Sequence, residues 1–147
     1  MVYNSAHLLG KYFTLDELTA SATARRLGLS NVPRAEHVEN LRQLVAHTLD
    51  PLRQLWGKPL RVNSGYRSPT LNAIVGGARN SQHCLGCAAD ITTGSLTDNR
   101  ALLQLIRRHA ETLCFDQLIA ERCDAQGRPR WLHISWSPAP RHQILMA

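Results

Sequence analysis

Residues 64–91 read SGYRSPTLNAIVGGARNSQHCLGCAADI, and the meaning of the rest of the chain depends on this stretch. It begins where the alternating run Leu60-Arg61-Val62-Asn63-Ser64 ends and closes in Ala88-Ala89-Asp90-Ile91-Thr92, so two strands are predicted to bound it. The glycines between them suit a looped wall that approaches a ligand closely. His83 and Asp90 lie within it, and imidazole and carboxylate are both good ligands for a tetrahedral zinc ion. Two ligands do not hold a catalytic metal. His133, in Trp131-Leu132-His133-Ile134-Ser135-Trp136, offers a third from what reads as a strand.

Ahead of this stretch the pattern is helical. Thr14-Leu15-Asp16-Glu17 places a hydroxyl residue three positions before a glutamate, the capping-box spacing, and predicts a helix of about 6 to 10 residues after it. Residues 22–33 carry Gly28, Ser30, Asn31 and Pro33 and read as a loop. From about Arg34, Val38, Leu41, Val45, Leu49, Leu52 and Leu55 recur at three- and four-residue steps, which predicts the longest helix with one face on the core. Pro51 falls inside that pattern and predicts a kink or break near Asp50, since proline removes a backbone donor and clashes with the preceding turn. Gly57-Lys58-Pro59 ends it.

Beyond the stretch, Thr97 is predicted as an N-cap with Asp98 in the first turn. Leu102, Leu105, Ile106, His109 and Leu113 mark the buried side of the helix that follows. Asp116 to Glu121 and Trp131 to Trp136 read as two strands of a hairpin around a turn-rich Cys123–Pro129. A turn centred near Gln126 pairs Glu121 with Trp131 and Ile119 with His133, and alternation puts all four side chains on one face. The tail, 137–147, reads as irregular.

Composition bounds the function. At 147 residues and 44% hydrophobic content the chain suits one domain, here read as a helical part (1–57), a sheet region (58–136) and the tail. No run approaches the roughly 18 apolar residues of a membrane helix, and the opening MVYNSAHLLGKYF lacks the pattern of a signal peptide. Synthesis in the cytoplasm without a signal peptide is therefore expected, as is a monomer without a membrane segment. The net charge of +6 comes from scattered arginines, and aromatics are only 5%, so the stripe of cations and aromatics expected of a nucleic-acid-binding domain is missing. Nucleic acid is not expected as the main partner. The four cysteines are irregularly spaced and read as free thiols or ligands rather than a disulfide framework. Cys84-x-x-Cys87 could belong to a structural metal site, but no second such pair exists to complete it.

Two histidines and a carboxylate on one zinc ion leave a fourth position for an activated water, the constellation of a metallohydrolase. Such chemistry needs a base, and the hairpin register puts Glu121 beside His133. Arg67 could bind a substrate carboxylate or stabilise an oxyanion.

The motifs Ser64-Gly65-Tyr66-Arg67-Ser68, Asn72, Val75-Gly76-Gly77, Ser81-Gln82-His83, Gly86, Ala89-Asp90-Ile91 and Trp131-Leu132-His133-Ile134-Ser135 occur in that order. With them the chain resembles the M15 family of zinc D-Ala-D-Ala carboxypeptidases and peptidoglycan endopeptidases, most closely its small phage and prophage branch. Phe13 to Leu18 and the helix up to Pro59 share the likeness. The resemblance implies a small α+β domain with a central antiparallel sheet flanked by helices, and one Zn2+ on His83, Asp90 and His133. It also implies Glu121 as base, Arg67 at the substrate, and Ser81, Gln82 and Trp131 shaping the pocket. The implied reaction is hydrolysis of a peptide bond in the stem peptide of bacterial peptidoglycan, as endopeptidase or D,D-carboxypeptidase, in the periplasm or wall after release or phage-like delivery. A zinc-containing wall-binding module without turnover is the alternative. The chain departs from the family pattern at Trp131, where many members carry histidine, and at Cys87.

Overall fold

The computed structural model describes residues 7–147, so the first six residues of the opening stretch lie outside it. Five strands form one sheet: β1 (Arg61–Ser64), β2 (Ala88–Thr92), β3 (Gln117–Glu121), β4 (Trp131–Ser135) and β5 (Gln143–Met146). Their order is β1-β2-β4-β3-β5, with the first three pairings antiparallel and β3–β5 parallel. The α+β class is as expected. The sheet is mixed rather than wholly antiparallel, because the tail returns beside β3 as β5, with Gln117 paired to Gln143. Alternation in the short run Gln143–Met146 is too brief to mark it as a strand by itself; pairing with β3 supplies the backbone partners.

Helices α2 (Ala35–Leu44), α3 (Asp50–Trp56) and α5 (Leu96–Arg108) join one face of the sheet in a single apolar core. Leu41, Leu44, Val45, Leu49 and Leu52 are fully buried there beside Ile91, Leu118, Leu132 and Ile134. Leu55, expected on the buried face, is instead exposed, and Trp56 packs against the core. The predicted break before Pro51 takes the form of a π-helical turn over Val45–Leu49, in which the Asp50 amide reaches back to the Val45 carbonyl. Widening the turn accommodates the missing proline donor without ending the helix.

Four local expectations are corrected. The capping box closes as predicted, with the Thr14 amide on Glu17 Oε2 at 2.9 Å and the Glu17 amide on Thr14 Oγ1 at 3.1 Å, yet only turns follow. The Leu18 carbonyl is taken by the Tyr66 amide at 2.7 Å, so a distant contact replaces the next helical bond. Helix α1 (Ala22–Leu27) starts later, in the segment read as a loop, with Ser21 as its cap and Gly28 ending it in the left-handed region at φ 66°. The cap of α5 is Ser95 rather than Thr97, its side chain accepting from the Asp98 amide at 3.0 Å. Finally, the glycine-bearing wall contains a short helix, α4 (Pro69–Ile74), capped by Ser68 with Pro69 in its first turn.

Candidate metal centre and cleft

Strand alternation assigns the two faces of the sheet different work. Asp90 on β2 and His133 on β4 are Cα partners, Ile119 on β3 is the next partner of His133, and Glu121 pairs with Trp131. The hairpin register is therefore the one read from the turn. These side chains share the face away from the core and line a cleft of about 750 Å³. At the β1–β2 pairing the register slips between Val62 and Ser64, and this bulge sets Ser64 opposite Asp90 while Asn63 and Ser64 both line the cleft.

His83 arrives from a 3₁₀ turn, Gln82–Leu85, capped by Ser81, whose hydroxyl accepts the His83 amide at 3.1 Å. Its imidazole is buried, and Nδ1 lies 2.7 Å from the Gly65 carbonyl. A carbonyl only accepts, so Nδ1 carries the proton and the lone pair of Nε2 is left for the site. Gly65 is required here. A Cβ at this position would collide with the Leu18 carbonyl.

One oxygen of Asp90, Oδ1, lies 3.2 Å from His83 Nε2 and 3.1 Å from His133 Nδ1. The three ligand atoms fall within 4.8 Å of one another, and this is the group of metal-competent side chains found among the described residues. Ligands about 2.0–2.1 Å from one tetrahedral ion would be about 3.3 Å apart, so the donor set fits zinc in chemistry and spacing. Burial pushes the Asp90 carboxyl up, but the imidazoles of His133 and His83 beside it outweigh burial and hold the group well below the usual carboxylate range. Cys84 and Cys87 do not join this group. Both are free thiols, pushed up in pKa chiefly by burial, and no further group of metal-competent side chains is found around them among the described residues.

Arg67 lies in the wall of the centre. Its Nε donates to Ser64 Oγ at 3.0 Å, Nη1 to Asn72 Oδ1 at 2.8 Å and Nη2 to Asp90 Oδ2 at 3.4 Å. Three of its five donors are thus occupied, and the others remain for a ligand in the cleft. Asn72, buried on α4, also donates to the Ala78 carbonyl at 2.8 Å, which ties the glycine-bearing loop to the arginine. Gly77 packs so closely on Asn72 that no Cβ fits between them.

Every sequence-predicted site residue lines this one cleft: Arg67, Ser81, Gln82, His83, Asp90, Glu121, Trp131 and His133. The side chains of Ser81 and Gln82 are partly committed, Ser81 as a cap and Gln82 through its amide nitrogen to Asp116 at 3.0 Å. Reading the sequence missed Ser64 and Asn72 as supports of Arg67, and Arg141 as a cleft residue. Ser64 and Asn72 stand among the conspicuous motifs, but their roles depend on contacts that spacing does not show.

A family model described as Peptidase M15 matches residues 11–134. A stretch of 65 residues, 44% of the chain, is 48% identical to a zinc D-Ala-D-Ala carboxypeptidase of Streptomyces albus G, and this match spans 25% of that relative's length.

Proposed function

Because the chain belongs to the Peptidase M15 family, we propose that it is a zinc-dependent peptidase that hydrolyses a peptide bond in the stem peptide of bacterial peptidoglycan. The observation that carries this reading is the convergence of His83, Asp90 and His133 on one face with Glu121, inside an open cleft. A zinc ion held by these three residues supplies Lewis acidity and brings the pKa of a water near neutrality.

The protein's own groups do the rest. The Gly65 carbonyl fixes the His83 ring, and Asp90 orients between both histidines, so the ligands are placed before a metal arrives. Glu121 lies two residues along β3 from Ile119, the partner of His133, and acts as the base that takes a proton and returns it to the leaving amine. Arg67, clamped by Ser64 and Asn72, keeps its remaining donors toward the carbonyl oxygen that gains charge. Trp131 forms an aromatic wall beside Glu121, with the Arg122 guanidinium 5.4 Å from its ring centre. No helix among the described residues is long and apolar enough to cross a membrane. Action at the wall after release or phage-like delivery fits the resemblance of the motifs.

Purified zinc-loaded protein incubated with bacterial cell walls should release muropeptides, and their masses identify the bond cut. Protein that sediments with the walls and releases nothing would instead be a binding module.

A further inference from the structure

Arg141 and Gln82 meet at a buried carboxylate that the chemistry above leaves unused. Asp116, just before β3, is 3% exposed. Its Oδ1 accepts from the Arg141 amide and Nε, each at 3.0 Å, and its Oδ2 accepts from Arg141 Nη2 at 2.8 Å and Gln82 Nε2 at 3.0 Å. The Arg141 fork, more than any other contact, lowers the Asp116 pKa to about 2, so the group is ionised at neutral pH. An ionised carboxylate only accepts hydrogen bonds, which requires the amide nitrogen of Gln82 to face it and turns Gln82 Oε1 away. Arg141 likewise gives one edge of its guanidinium to Asp116 and keeps Nη1. Among the described residues neither Oε1 nor Nη1 has a hydrogen-bond partner, and both side chains line the cleft.

We propose that Asp116 positions Arg141 and Gln82 as a subsite for an α-carboxylate that carries a nitrogen donor on the same carbon. Arg141 receives the carboxylate, and the Gln82 carbonyl receives the N–H. The inference rests on the peptidase reading, since it names a substrate group taken by the same cleft. Two sources supply this chemistry: a free C-terminal residue with its own amide N–H, or a side chain ending in a free amino-acid group, as in a diaminodicarboxylic residue. Asp116 lies just before β3, three residues ahead of Ile119, the partner of His133, and Gln82 adjoins His83, so the subsite borders the metal-competent group.

Three synthetic peptides of one sequence, each containing a diaminodicarboxylic residue, test the assignment. One has both carboxylates free, one has the side-chain carboxylate amidated, and one has the C-terminal carboxylate amidated. Binding to the zinc-loaded protein is measured by calorimetry, alongside kcat/KM. One amidation should weaken binding at least about tenfold and thereby identify the source. In Arg141→Gln that discrimination should fall below about threefold. Equal binding of all three peptides, or full discrimination by a folded Arg141→Gln, overturns the proposal. Arg141→Lys is run beside it because it leaves a cation on Asp116 while removing the fork; with melting unchanged, it should lose most of the discrimination, and keeping all of it counts against the fork. Failure to cleave any peptide would count against the peptidase reading, while the binding measurements still decide the subsite.

Discussion

The two faces of one sheet divide the protein's work. On the core face Ala89, Ile91, Leu118, Ala120, Leu132 and Ile134 are essentially fully buried. On the other, the interleaved residues Asp90, Ile119, Glu121, Trp131 and His133 line the cleft. Each cleft residue is held by neighbours one position away whose burial supplies the stability. A polar, partly desolvated site can therefore be rigid because its strands are anchored from behind, and the side chains that do chemistry need not stabilise the fold.

The comparison breaks most completely at His83. Replacing it by alanine should abolish both zinc binding and wall digestion, measured by metal analysis and muropeptide release, and hydrolysis by metal-free protein would overturn the proposed function. Glu121→Gln on the same face should leave metal content and melting unchanged while lowering activity by about 10²- to 10⁴-fold. Full activity would remove Glu121 from the base role.

The core face should give the reverse pattern. Leu132→Ala, one residue from His133, should cost about 2–5 kcal/mol of unfolding free energy in a denaturant titration, with kcat/KM per folded molecule little altered. A large kinetic effect with unchanged stability would contradict the division between faces.

The smallest effect expected joins the two regions through Asp116. Its folded pKa of about 2 lies below the ordinary value of 3.8, so its contribution is present above pH 4 and is lost as the pH falls through 3.8 toward 2. Because Arg141 is largely exposed and screened, this amounts to on the order of 1 kcal/mol. Asp116→Asn should flatten the acid limb of stability against pH, and an unchanged limb would assign it to other carboxylates, Asp90 first.

What could be read from the sequence was information carried within a few residues. Alternation located β1 and strand-type runs located β2 to β4, the length of the Cys123–Pro129 turn set the hairpin register, and apolar spacing with Pro51 anticipated the long, interrupted helix. The residue types at positions 83, 90 and 133, with the resemblance of the surrounding motifs, were enough to name the metal-competent group that the structure brings together. Other features depend on partners far along the chain. The Thr14 capping box closes but starts no helix, because the Leu18 carbonyl bonds to Tyr66. The tail becomes a strand because Asp116 and β3 receive Arg141 and Gln143. The clamp on Arg67 needs α4 to deliver Asn72. A hydrogen bond between neighbours leaves a trace in local spacing. One between residues tens of positions apart exists only once the core has packed, and such bonds decided how the named ligands became a site.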